Sequence, residues 1–285
     1  MLESAGTIIM FSFNLVQDLY NMWQFGFMRN AFFAGTVIAI VAGIVGYFVV
    51  IRKLSFAAHA LSHAGFAGAA GAVLFGLNPL FGLLAFTGIG GLTMGVLGKK
   101  ANNRDVQTGT VLAFMLGLGV LFISLYKGYA NETYSLLFGE ILGISKSATF
   151  ITLIAAIVVV AIILIIFRKL LFASLDEDVA EAKGLRVALI GIVFMLLLAI
   201  TTSIAIQVVG VLLIFALLVT PAAIAQRVTK TPLSALVVAV VISVSATWIG
   251  LFVAFYQPYP VSFMIISIVF IEYLLSYLYT KSKLA

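Results

Sequence analysis

The sequence has no cysteine, only two histidines and few charges. Of its 285 residues, 9% are charged and 64% are hydrophobic. The absence of cysteine excludes disulfide bridges, thiolate metal sites and thiol nucleophiles. The shortage of charge excludes a soluble globular domain, because too few polar side chains remain to cover a water-exposed surface. The net charge of +6 fits basic residues in cytoplasmic loops better than a nucleic-acid-binding surface, so we expect no nucleic acid partner.

What the sequence does contain is a series of apolar runs, each long enough to cross a lipid bilayer. These runs predict an all-α, polytopic transmembrane helical bundle of about eight to nine spans. Residues 1–28 mix apolar with amide and acidic side chains, which predicts an interfacial segment. Residues 29–285 then form a single transmembrane domain. The expected spans are 31–51, 58–77, 80–98, 107–126, 149–167, 187–205, 208–225, 232–256 and 260–280.

The basic residues fix the orientation of the chain. Only Arg29, Lys127 and Lys146 fall in one set of alternating loops. All others fall in the opposite set, which the positive-inside rule places in the cytoplasm. A multi-pass protein of the cell membrane with a cytoplasmic C-terminus is therefore predicted. The cytoplasmic set is Arg52, Lys53, Lys99, Lys100, Arg104, Arg168, Lys169, Lys183, Arg186, Arg227, Lys230, Lys281 and Lys283.

The two histidines, His59 and His63, are four residues apart inside an apolar segment. On a helix, positions i and i+4 share one face, so both imidazoles can face the same cavity. His63 lies about 15 Å beyond the basic pair at 52–53, which is close to the bilayer midplane. Ionisable groups at that depth are costly and indicate function, here the passage of a metal ion. The alternative is a hydrogen-bonded pair that spaces helices, with Ser62 or a carbonyl as partner.

Two further positions are candidates in the translocation path. Residues 133–145 are apolar but too short to cross the bilayer, which predicts a re-entrant half-helix on the outer side. Glu140 within it is a candidate contact for an entering cation. Pro221 would kink its span and free a backbone carbonyl, so it is a candidate gating kink, with a packing role as the alternative. Glu272 lies within the last span and has no assigned role.

A short cytoplasmic helix is predicted at 174–184. Ser174 followed by Glu177 has the spacing of a capping box, and Gly184 can close the helix in a left-handed conformation. Acidic residues crowd its first turn, which favours the helix dipole. The segment is either a solvated loop helix or a docking element for a cytoplasmic partner.

No motif in the sequence predicts catalysis by this chain. His59 and His63 have the spacing of a zinc protease helix, but Ala60 stands where that chemistry needs a glutamate base. Gly98-Lys99 matches the Gly-Lys pair that ends a phosphate-binding loop. However, Thr93 stands where that motif has its first glycine, and Lys100 stands where it needs Ser or Thr. The chain is therefore not expected to be an enzyme or to bind a nucleotide or cofactor itself.

Four local patterns follow one another along the chain: Arg52-Lys53-Leu-Ser…His59-Ala-Leu-Ser-His63-Ala, Leu137-Phe-Gly-Glu140-Ile-Leu, Asp176-Glu177…Ala180…Gly184-Leu185 and Val209-Gly210…Leu218-Val-Thr-Pro221-Ala-Ala. In this order they resemble the membrane permeases of the zinc, manganese and iron uptake transporters of the ATP-binding-cassette (ABC) class. The resemblance runs from about Phe27 to Tyr279.

The resemblance implies a type II ABC importer fold and a homodimer of this chain. It also implies two cytoplasmic ATP-binding subunits that hydrolyse ATP, and an extracellular metal-binding protein that delivers a divalent metal ion. The family's coupling helix, which seats against the ATPase, falls on Asp176, Glu177, Asp178, Ala180 and Gly184. The family's metal-facing pair falls on His59 and His63.

One position departs from the family pattern. Most members of the family have an aspartate where this chain has His59. Imidazole suits zinc better than manganese, so zinc is the favoured substrate, with manganese and iron as alternatives. A secondary transporter or channel without an ATPase is the main functional alternative, and it should carry more intramembrane carboxylates. A structural membrane protein is the third, and the histidine pair disfavours it.

Overall fold

The computed structural model describes residues 15–97, 104–126, 139–257 and 259–284, and this part of the chain is helical with no strand. The prediction of an all-α fold is confirmed. The helices are α1 (Leu15–Gln24), α2 (Gly26–Ile51), α3 (Ser55–Leu74), α4 (Pro79–Leu97), α5 (Arg104–Leu125), α6 (Lys146–Leu175), α7 (Glu177–Ala182), α8 (Val187–Val228), α9 (Pro232–Tyr256) and α10 (Val261–Leu284).

Seven of these helices are long and apolar enough to cross a membrane: α2, α4, α5, α6, α8, α9 and α10. The 42 residues of α8 would extend about 63 Å if straight, twice the bilayer core of about 30 Å. Because α8 bends back on itself, it supplies two passages. Counting α3 as well, the number of passages agrees with the sequence prediction.

The reversal of α8 occurs at Gly210, whose φ of 83° and ψ of 168° interrupt the helix. This conformation is accessible to glycine almost alone. Beside it, Ser262 at the start of α10 donates a hydrogen bond to the Val209 carbonyl, at 3.2 Å. The backbone of Gly139 also contacts Val209 and Gly210 and leaves no room there for a side chain. The elbow therefore lies at the outer end of the bundle.

Both ends of α8 return to the cytoplasmic side. In the first limb (187–209), Gly191 faces the guanidinium of Arg52 at the end of α2. In the second limb (211–228), the Arg227 guanidinium lies over the rings of Tyr273 and Tyr277 of α10, at 5.0 and 5.1 Å. The two spans predicted at 187–205 and 208–225 are thus the two limbs of one broken helix.

The sharp bend of this segment is not at Pro221, as predicted, but eleven residues earlier. Pro221 is buried within the second limb, and Gly210 is the residue of α8 with non-helical dihedral angles. Proline removes one backbone hydrogen bond but keeps a helical φ. Glycine at positive φ redirects the whole chain. A gating role for Pro221 stays a prediction.

Small residues allow the helices to approach closely. A side chain on Gly68 of α3 would collide with the Gly82 carbonyl of α4, and one on Gly82 would collide with Gly68. Gly46 of α2 meets the Leu218 carbonyl of α8 in the same way. Without a hydrophobic driving force between helices in lipid, such backbone contact is a main source of packing energy. These contacts hold α3 and its histidines against α4, and α2 against α8.

Two segments that the sequence places outside the membrane-spanning helices are described by the structure only in part, and the interfacial position of 1–28 stays a prediction. Within the expected interfacial segment 1–28, residues 1–14 lie outside the described part, and α1 exposes Val16, Tyr20 and Trp23. Of the expected half-helix at 133–145, residues 133–138 also lie outside it. Residues 139–145 hold only a 3-10 turn, Ile141–Gly143, so the prediction that the half-helix extends through 139–145 is wrong. An α-helix cannot continue through Gly139, whose φ is 75°.

Candidate functional site

The two histidines lie in the cytoplasmic half of α3. This helix begins at Ser55, directly after the turn that follows α2. His59 is therefore about 6 Å and His63 about 12 Å along the helix axis from its first residue. Both side chains are half-buried. The pair thus lies within the bundle, nearer the cytoplasmic surface than the outer one.

The imidazole rings are neighbours, as the spacing of the two residues predicted. Their centroids are 4.6 Å apart and their planes meet at 81°. The ring of Phe215, in the second limb of α8, packs edge-on against His59 with centroids 4.9 Å apart. No sequence pattern predicts this contact, because Phe215 stands in an uninterrupted apolar run. Only the reversal at Gly210 brings it to α3.

The imidazole nitrogens have no hydrogen-bond partner among the residues that the structure describes. The hydroxyl of Ser62, the partner proposed for a purely structural pair, instead donates to the Ala58 carbonyl at 3.0 Å. A hydrogen-bonded pair that merely spaces helices therefore has no support within those residues. Neutral imidazoles with open nitrogens can ligate a transition metal ion.

One copy of the chain offers a metal ion few ligands. In the described residues, no group of three or more His, Cys, Asp or Glu side chains lies close enough to hold a metal ion. Two imidazoles supply two nitrogens, whereas a closed structural zinc site has four protein ligands. The pair is suited to a transient contact completed by water or by a second copy of the chain.

A polar contact that the sequence did not reveal joins α4 to α8 deeper in the bundle. The hydroxyls of Thr87 and Ser203 are hydrogen-bonded at 2.6 Å, and both side chains are fully buried. Gly65 of α3 faces Thr87 as well as Ile206 of the first limb. Each hydroxyl also lies within hydrogen-bond distance of a carbonyl one turn back in its own helix, Leu83 for Thr87 and Ala199 for Ser203, so both have partners in a medium without water. The pairing of the two hydroxyls fixes α4 against the limb that flanks the histidine helix.

The structure does not bring Glu140 to the histidines. Glu140 is exposed and follows Gly139, which touches the outer elbow of α8. His59 instead meets Phe215, on the cytoplasmic side of that elbow. Contact of Glu140 with an entering cation stays a prediction. Glu272 faces α9, where its carboxylate accepts a hydrogen bond from Ser245 at 3.3 Å.

The cytoplasmic helix exists, but its cap differs from the prediction. Asp176, not Ser174, is the N-cap of α7, and its carboxylate accepts a hydrogen bond from the Val179 amide at 2.9 Å. The capping box was wrong because α6 continues to Leu175, which leaves the Ser174 hydroxyl bonded to the Leu170 carbonyl. Gly184 does close the helix, with a φ of 81°.

Helix α7 presents an acidic surface to the cytoplasm. Asp176, Asp178 and Glu181 are exposed, whereas Ala180 is fully buried against the bundle. The helix is therefore anchored on one side and open on the other. This is the arrangement that a docking element requires, and a role in coupling stays a prediction.

The arrangement of helices and motifs recurs in known proteins. The model of the ABC 3 transport family matches residues 24–280. The chain belongs to the ABC 3 transport family. Members of this class are membrane permeases and not catalysts, so the permease assignment made from the sequence motifs is confirmed and the secondary-transporter alternative is set aside.

Several relatives in this family are similar over most of their length. The chain is 32% identical to the manganese transport system membrane protein MntC of Listeria innocua, covering 83% of this chain and 85% of that protein. It is 30% identical to the manganese import system permease protein ScaB of Streptococcus gordonii, covering 85% and 87%.

Solved structures show the same fold. PsaBC from Streptococcus pneumoniae in complex with Fab superposes with a TM-score of 0.82 at 29% identity, covering 92% of this chain and 95% of that chain. An inward-facing putative metal-chelate type ABC transporter superposes with a TM-score of 0.68 at 16% identity, covering 86% of each chain. The second likeness concerns the fold alone.

Proposed function

We propose that this chain is the permease subunit of an ATP-driven importer of divalent metal ions, with His59 and His63 as ligands on the translocation path. The observation that carries the proposal is the imidazole pair, with ring centroids 4.6 Å apart and nitrogens unused by the described part of the chain. A pathway site must release its ion, so an incomplete set of ligands is suitable. Sites that bind too tightly would stop transport.

Manganese and zinc are the two candidate substrates, each for its own reason. The relatives MntC and ScaB are named for manganese, which makes manganese the first candidate. The side chains favour zinc, because imidazole nitrogen suits zinc, whereas manganese prefers carboxylate oxygen. The preference for zinc drawn from the sequence therefore stays a prediction.

Three partners complete the proposed transporter. A second copy of the chain would raise the number of histidine nitrogens at the dimer axis and so supply a fuller site. A cytoplasmic ATPase subunit would seat on the acidic surface of α7. An extracellular metal-binding protein would deliver the ion at the outer end, near Glu140. Metal would then meet the histidines, and ATP hydrolysis would open the cavity inward.

The test is metal import by the permease reconstituted with its ATPase subunit in liposomes that contain a metal-sensitive dye. We expect His59→Ala and His63→Ala each to lower the ATP-dependent import rate by about tenfold or more, by analogy with the loss of ligand-shell residues. Phe114→Ala is the matched control, because this ring is 64% exposed on α5. Unchanged import of both metals in both histidine variants would refute the site.

The same assay decides between the two metals. His59→Asp replaces an imidazole by a carboxylate and should shift the ratio of import rates towards manganese. If the wild type imports only manganese and the variant leaves the ratio unchanged, His59 does not determine selectivity. If the wild-type complex imports neither ion, the assignment to manganese or zinc is wrong, and iron is the remaining alternative.

A further inference from the structure

Arg52, at the cytoplasmic end of α2, is a buried cation that has no role in the proposed metal path. Its side chain is only 4% exposed. Arginine is almost never fully buried unless it is paired. Its partners therefore show what the residue holds together.

These partners belong to three different helices. The guanidinium donates to the Ser174 hydroxyl at the end of α6, at 3.3 Å. It lies 3.7 Å from the carboxylate of Glu177, the first residue of α7. It also lies over the ring of Phe194 in the first limb of α8, 5.8 Å from the centroid. Arg52 thus joins the proposed docking helix to the interior of the bundle.

A tight turn connects Arg52 to the histidine helix. Lys53 has a φ of 56°, a left-handed conformation that residues other than glycine rarely adopt. The Leu54 amide donates back to the Val49 carbonyl at 2.8 Å, and the Leu54 carbonyl accepts from the Ala58 amide at 2.9 Å. The turn therefore links α2 directly to the first turn of α3, and His59 follows one residue after Ala58.

There is open space beside this connection. A cleft at the cytoplasmic side is lined by Arg52 and Leu54, by Ala57 in the first turn of α3, and by Met94 and Met195. Opposite the guanidinium, Gly191 carries no side chain. The cleft therefore borders both the guanidinium and the first turn of α3.

We propose that Arg52 is a positioning residue that transmits displacement of α7 to the histidine helix, so that ATP hydrolysis is coupled to movement of the metal site. This rests on the proposed function. A pull on Glu177 acts on the guanidinium, and the turn at 52–54 carries the force to α3. The residue does not touch the metal ion and acts only through its neighbours.

The test measures ATP hydrolysis and metal import in the same reconstituted complex. We expect Arg52→Gln to retain association with the ATPase and ATP hydrolysis, while ATP-driven import falls by about fivefold or more, the range of typical coupling free energies. Arg52→Lys should recover only part of the import, because lysine lacks the planar fork that reaches two partners. Lys169→Gln, which removes an exposed charge on α6 outside the turn at 52–54, should behave as wild type.

A second variant tests the same contact in case Arg52→Gln does not fold. Glu177→Gln breaks the same contact at Glu177, whose side chain is 40% exposed. Like Arg52→Gln, it should raise the number of ATP molecules hydrolysed per ion imported. The exchange of Arg52→Glu with Glu177→Arg should recover import relative to Arg52→Glu alone. Import and hydrolysis that fall in parallel, or that are unchanged in Glu177→Gln, would overturn the proposal. Absence of metal import by the wild type would instead refute the proposed function.

Discussion

The ring of Phe215 packs edge-on against the imidazole of His59, with centroids 4.9 Å apart and planes at 66°. The two residues lie far apart in the sequence, and they meet in space only because α8 reverses at Gly210. Phe215 thereby packs against one of the two proposed metal ligands.

Phe215→Ala is expected to lower metal import by about tenfold, because outer-shell residues that orient ligands typically have effects of this size. Phe215→Leu keeps most of the packed volume and should lose less. The measurement is the import rate in liposomes, with the lipid-facing Phe114→Ala as control. Equal rates for Phe215→Ala and this control would show that the ring does not orient His59.

Gly210→Ala is expected to destabilise the chain by about 1–3 kcal/mol, because the left-handed extended conformation at this residue is nearly confined to glycine. The measurement is the free energy of unfolding in mixed micelles. Gly88→Ala is the matched control, since a Cβ there meets nothing within 4 Å. If both variants are equally stable, the reversal of α8 does not depend on glycine.

The hydrogen bond between Thr87 and Ser203 is expected to couple α4 to α8. A double-mutant cycle with Thr87→Val and Ser203→Ala should give a coupling free energy of about 0.6 kcal/mol, and at most about 1.7 kcal/mol, as for other hydrogen bonds within membranes. Unfolding in mixed micelles measures it. Strict additivity of the two substitutions would mean that the hydroxyls do not interact.

Asp176→Ala is expected to destabilise α7 by about 1 kcal/mol through loss of its N-cap. Amide hydrogen exchange in residues 177–184 should then accelerate by about fivefold, the factor that corresponds to this free energy. Asp178→Ala is the control, because it removes an equal charge without the cap. Similar acceleration in both variants would attribute the effect to charge and contradict the capping role of Asp176.

Several features of this protein follow from local sequence alone. Long apolar runs dictate membrane-spanning helices, because every backbone polar group in lipid must be bonded within the segment. The spacing of His59 and His63 places their rings side by side on any α-helix. Gly184 ends its helix because it readily adopts positive φ. Each of these depends on residues within a few positions of one another.

Other features depend on the residues at which the long helices end or reverse. The sequence predicted two spans, 187–205 and 208–225, but it did not place the reversal at Gly210, since a glycine inside an apolar run is ordinarily only a close-packing site. The length of α6 likewise decided that Asp176 and not Ser174 caps α7, although both have suitable side chains. The local sequence is compatible with Ser174 or Asp176 as the cap of α7, and the residue at which α6 ends decides between them.

The sequence by itself therefore determined the membrane class, the orientation and the histidine pair, because these arise from composition and helical periodicity. Only the tertiary structure decided the surroundings of that pair. The contacts of His59 with Phe215, of Thr87 with Ser203 and of Arg52 with Glu177 each join residues more than a hundred positions apart. Such contacts are fixed by how helices pack, and no local pattern in the chain encodes them.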